Sequence, residues 1–197
     1  MKNVARVIFV LFFAAPLSAP ALAQTAVPPP PKPAGSGPSL DVTMKYIQDK
    51  LGDIGKVSYV AFVQNVTDGS TGSNTRTFEV STVIASTSEC WVFYMLNTRI
   101  DGKPATSGAF KFSLHDVQDI VIKPMEQAIS EENAREGKPN IIVTSVNPTL
   151  TALLVRQLHG APYIFPFTDA GQADRVAKAM VHAVELCGGG GEKDPFQ

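Results

Sequence analysis

The chain is poor in cysteine, with 2 in 197 residues, and poor in histidine, with 3. Cys90 and Cys187 stand far apart, with no C-x-x-C spacing and no histidine beside either. That excludes a redox motif and a cysteine-based metal knuckle, and leaves no local partner to activate a nucleophile. His115, His159 and His182 fall in a turn after a strand-like run, at a hairpin tip and on the outer face of a helix. None has a second ligand at metal-binding spacing, so no metal is expected. Basic runs are missing as well: 17 lysines and arginines are offset by 18 aspartates and glutamates. Without a cationic stripe, nucleic acid is not an expected partner.

Catalytic signatures are equally scarce. "STGS" and "TSG" lack the strand-to-helix setting of a nucleophile elbow, and "GSTGS" sits between two strand-like runs rather than before a helix that would cradle phosphate. Paired carboxylates on one strand face are absent. His115 and Asp116 are adjacent, and adjacent residues of a strand or turn point apart. No catalytic residue and no cofactor are therefore expected.

What is present begins at the N-terminus. Lys2 and Arg6 precede the apolar run "VIFVLFFAA", and Ala21-Leu22-Ala23 closes the segment with the small-x-small pattern of a cleavage site. The run is shorter than the roughly 20 residues that span a bilayer. Residues 1–23 are expected to be a signal peptide, with Gln24 the first mature residue and no cysteine there to carry a lipid. Export to the periplasm or beyond follows, with no integral membrane segment after cleavage. Residues 24–38, rich in proline and then glycine, read as a spacer, and residues 189–197 as an unstructured tail. One domain over residues 39–188 is expected between them.

That domain opens with a helical face of Leu40, Met44, Ile47, Leu51 and Ile54, capped by Ser39 and stopped at Gly55. Strand-like runs follow: "KVSYVAFVQNV", "TRTFEVSTVIAST", "ECWVFYMLNTRI", "AFKFSL", "DIVIKPM", "NIIVTSV", "TALLVRQL" and "APYIFPF". "TDGSTGSN" and "GKPATSG" read as loops, and Asn65 of the triplet N-x-T as a strand end. "ECWVFYMLNTRI" is apolar on both faces and reads as a central strand covered on each side, with Trp91, Phe93 and Met95 in the core. Residues 126–139 are glutamate-rich and read either as one short helix or as a loop, with a solvated charged face. The last element places Ala173, Val176, Ala177, Met180, Val184 and Cys187 on one helical face, between a cap at Asp169 and a stop at Gly188.

Cys187 thus points inward, and in an oxidising compartment two cysteines make a Cys90–Cys187 disulfide the expected state, with two inert thiols as the alternative. Closing a loop of roughly 100 residues stabilises a fold by about 4–5 kcal/mol through lost chain entropy. The fold class is α+β: an antiparallel bent sheet or partly open barrel of about seven to eight strands, with a short N-terminal helix and a C-terminal amphipathic cap. The strand series from Val57 to Phe167 and the closing "APYIFPFTDAGQADRVAKAMVHAVELCGG" resemble the pleckstrin-homology-like superfold. Within that stretch, "FPFTDAGQADRVAKAMVHAVELC" looks like the closing segment of exported bacterial members of unknown function. With an export signal and no catalytic signature, the expected function is that of a non-catalytic binding or scaffolding domain of the bacterial envelope. Its partner would be a protein or peptide, met at a sheet edge or beside the last helix. Phosphoinositide-binding members carry lysines and arginines around the first strand-strand loop. Here "NVTDGSTGSNTR" offers Arg76 alone, with Asp68 inside it, which argues against a phosphoinositide partner. The alternative is a small-molecule carrier or an enzyme with a loop-assembled site. A carrier requires an apolar cavity under the helix; a scaffold requires a filled core.

Overall fold

The computed structural model describes residues 37–189. The expected signal peptide, most of the spacer and the tail beyond Gly189 lie outside the described residues. In chain order the elements are α1 (Leu40–Gly52), β1 (Lys56–Asn65), β2 (Thr71–Ser86), β3 (Trp91–Ile100), β4 (Lys103–Ser113), β5 (Val117–Pro124), α2 (Met125–Arg135), β6 (Ile141–Asn147), β7 (Thr151–Gln157), β8 (Tyr163–Phe167) and α3 (Ala170–Leu186). The class is α+β as expected, with eight antiparallel strands. They lie in two open sheets, ordered β4-β3-β2-β1-β6 and β5-β7-β8, and do not close into a barrel.

Local chemistry explains the helix ends. The Ser39 hydroxyl accepts from the Val42 amide, and the Asp169 carboxylate accepts from the Gly171 amide at 2.8 Å. At the far end of α3, Gly188 takes a positive φ of 73°. Its amide bonds Glu185 and the Gly189 amide bonds Val184, the pattern of a Schellman cap. Gly189 also lies so close to the Leu114 carbonyl that a Cβ there would collide with it. Gly189 therefore belongs to the folded unit. So does Pro38, whose carbonyl lies 2.9 Å from His182 Nε2.

Two apolar clusters form the interior. The larger joins α1 (Met44, Ile47, Leu51) and α3 (Val176, Met180, Val184) to the inner faces of β2, β3 and β4 and to Leu153, Val155 and Phe165. The smaller packs Met125, Ala128 and Ile129 of α2 on Tyr59, Val143, Ala152 and Leu154. Alternate residues of β7 thus enter opposite clusters, and β7 is the strand covered on both faces. The expectation placed β3 there, with Trp91, Phe93 and Met95 buried. Of residues 91–95 only Val92 and Tyr94 are buried; Trp91 and Phe93 are half-buried and Met95 is 37% exposed. The reason is layering: helices cover the inner face of the large sheet, and no described element covers its outer face.

Three further segments differ from expectation. Residues 103–108 of "GKPATSG" are strand, because Asp101 and Gly102 take φ of 49° and 76° and close a two-residue turn after β3. The first loop is shorter than expected, since Thr71–Asn74 pair with Ala61–Gln64. Asn65 ends β1 and accepts from the Thr67 amide, while Asp68 accepts from the Ser70 amide and hydroxyl. Those bonds hold the Asp68 carboxyl below its ordinary range. Residues 126–139 are mostly helix, because Met125, Ala128 and Ile129 supply a buried face.

Candidate functional site

Cys90 and Cys187 are bonded, with Cα atoms 5.9 Å apart across 97 residues of chain. Both are 8% exposed. Cys90 sits just before β3 with a φ of 53°, a region that side-chain-bearing residues rarely occupy, and Cys187 caps α3. The bond ties the final helix to the wall of the larger cluster. This is a structural arrangement with no thiol left to react.

The three histidines lie on three separate elements. His115 is exposed in the turn between β4 and β5, and His159 is exposed in the turn between β7 and β8. His182 is not merely on a solvent face, since its ring lies against Gly37 and Pro38 and so ties the entering chain to α3. Among the described residues, no three His, Cys, Asp or Glu side chains converge as a metal site. No helix among them is long and apolar enough to cross a membrane.

A cleft of about 290 Å³ opens between α2 and the small sheet, lined among others by Gln118, Glu131, Arg135, Arg156 and Gln157. Its charges are already matched. Lys123, whose side chain is 10% exposed, donates to Glu131 at 2.7 Å. Arg156 reaches Asp119 at 3.0 Å and Glu131 at 3.3 Å, Gln127 donates to Glu131, and Arg135 pairs with Glu132. The hydrogen bond from Lys123 holds the Glu131 carboxyl below its usual range. A general acid at neutral pH requires the opposite shift. The network instead fastens α2 to β5 and β7. The sequence reading gives a solvated face only to the glutamate-rich residues 126–139; the register of β5 on β7 sets Asp119 beside Arg156, and α2 brings Glu131 to Lys123 and Arg156.

The edges of the large sheet are partly closed. The Tyr163 hydroxyl donates to the Lys111 carbonyl and Gln157 donates to the Ser113 carbonyl, both on β4. Desolvation pushes the Tyr163 phenol up, which keeps it a donor. On β6, Ser130 accepts from the Val143 amide and Asn133 donates to the Ile141 carbonyl. Such capping blunts strand addition, the mode expected at a sheet edge.

The outer face of the large sheet is open, and its two ends differ. At the β2-β3-β4 end, Ile84 lies opposite Phe93, and Phe93 opposite Lys111. Ile84 is 45% exposed and Met95 37%, and strand alternation sets Met95 on the same face as half-buried Phe93 and Trp91. Lys111 Nζ sits 4.3 Å above the Trp91 ring, and the indole N–H donates to Glu89. A bulge between Ser81 and Ile84, with Thr82 at a φ of 50°, turns Ile84 outward. For a β-branched residue that conformation is strained. At the β6-β1-β2 end, Phe62 is 41% exposed and is flanked by Ser and Thr hydroxyls. Neither end was legible as exposed in the sequence. Compared with known proteins, the chain matches no family model, no curated protein and no solved structure.

Proposed function

We propose that this is an exported, non-catalytic binding domain of the bacterial cell envelope that recognises a protein or peptide. The observation that carries the reading is the apolar outer face formed by exposed Ile84 and Met95 and half-buried Phe93, with Ile84 turned outward by a strained bulge. Exposed apolar groups on a sheet face are a recurrent form of partner surface. A carrier would need space beneath α3, whereas six residues of α3 are buried in a packed cluster there. The N-terminal basic and apolar segments and the bond between the two cysteines support export. A four-strand meander, a second small sheet and a closing helix support kinship with the pleckstrin-homology-like superfold.

A photo-reactive residue at Met95, in cells expressing the full chain, tests the function. One discrete cross-linked polypeptide is expected, lost when Phe93→Glu is added. Cross-links to many proteins, unaffected by Phe93→Glu, would overturn it, as would a histidine-dependent turnover. N-terminal sequencing of the envelope-associated protein should begin at Gln24.

A further inference from the structure

The opposite end of the same face carries a different chemistry. β6 contains one more residue than the β1 stretch it pairs with: Phe62 faces Ser145 and Val63 faces Val143, so Thr144 is the extra residue of a bulge. In a regular strand neighbouring side chains alternate between faces. Here Val143 is buried, whereas both Thr144 and Ser145 are exposed beside Phe62. Bulges re-aim side chains in this way next to binding sites. From the other flank, Ser73 lies opposite Phe62 and Thr71 opposite Gln64. These groups, apart from Gln64, line an open cleft of about 460 Å³ together with Val63 and Gly72. None of its lining residues is charged. The Thr144 hydroxyl donates to the Phe62 carbonyl, which anchors the bulge. Ser73, Ser145 and Thr71 make no side-chain hydrogen bond to any described residue.

We infer that this cleft binds a neutral saccharide chain. A sugar ring has an apolar C–H face and an equatorial girdle of hydroxyls. An exposed aromatic ring receives the first, and uncharged hydroxyls that both donate and accept receive the second. An acidic sugar or a phosphate finds no cation in the cleft, and a purely apolar ligand would strand the hydroxyls. The site lies apart from Phe93 and Met95 along the sheet, so it stands independently of the proposed protein partner.

The test is a titration of the full mature chain with three neutral probes, chitotetraose, cellotetraose and maltotetraose, followed by amide chemical shifts. Tetragalacturonate serves as the charged control. At least one neutral probe should shift the Phe62, Ser73 and Ser145 amides, and the uronate should not. Phe62→Ala should weaken that binding about ten-fold or more, and Ser73→Ala or Ser145→Ala about three- to ten-fold each. Both Phe62 and the serines are exposed, so the melting temperature should hold, and a variant that unfolds is replaced by Phe62→Ser. Phe93→Glu should leave sugar binding unchanged. The inference is overturned if no neutral probe shifts these amides. It is equally overturned if shifts centre on Trp91 and Phe93, or if the uronate binds as tightly as the neutral sugars. The cross-linking experiment at Met95 is unaffected by any of these results.

Discussion

Cys90 combines two roles that pull against each other. Its sulfur closes the bond to Cys187, while its backbone holds a conformation that costs a side-chain-bearing residue about 1–2 kcal/mol. Replacing both cysteines by alanine should cost about 2–5 kcal/mol in urea denaturation. With glycine at position 90 instead, the double variant Cys90→Gly/Cys187→Ala should recover about 1 kcal/mol of that loss, because glycine tolerates positive φ. Equal stability of the two double variants would refute the backbone argument. Glu131 gives a second test, through pH. Its folded carboxyl is held low by Lys123, so its contribution is present above the ordinary glutamate value of about 4.3 and is lost as pH falls through the folded value. Glu131→Gln should cost about 0.5–1 kcal/mol at pH 7, limited by solvent screening of a half-exposed carboxylate. That difference should shrink progressively in urea melts as pH falls below about 4.3.

At the scale of elements, α3 seals the larger cluster. Met180 is fully buried and Val181 is 44% exposed on the next position of the same helix. Met180→Asp places a carboxylate in an apolar interior and should abolish cooperative unfolding or cost more than about 4 kcal/mol. Val181→Asp should stay within about 0.5 kcal/mol. Circular dichroism during thermal melting decides between them. Both α1 and α3 were legible in the sequence because caps, period and stop agree: Ser39, Asp169 and Gly188 act as their residue types imply. β3 was misread because apolar alternation on two faces says nothing about what lies over each face. β7 holds that doubly covered place with a similar composition. α2 stayed ambiguous because its helicity rests on Met125, Ala128 and Ile129 finding a groove, which is tertiary information. The outer-face sites escaped for a related reason. Bulges at Thr82 and Thr144 reset which side chains face outward, and no local residue pattern announces them.

The whole molecule depends on its last segment. α3 joins the larger cluster last in chain order, and the partner of its capping cysteine lies in the middle of the chain. A chain ending at Asp169 should retain strand-forming sequence yet show no cooperative melt and fast proteolysis, because the apolar faces of β2, β3 and β8 would lose their cover. Synthesis gives the same arrangement a clock. At roughly 5–20 residues per second, the 97 residues after Cys90 take about 5–20 s to appear. Throughout that interval Cys90 has no correct partner within its own chain. Since there are only two cysteines, an internal bond has a single connectivity and scrambling within one molecule is impossible. Once an unfinished chain meets an oxidising compartment, a bond between two such chains can run only through Cys90. Crowded expression should therefore yield Cys90-linked dimers, while slow expression yields monomers, and the ratio measures how long the chain waits for its own end.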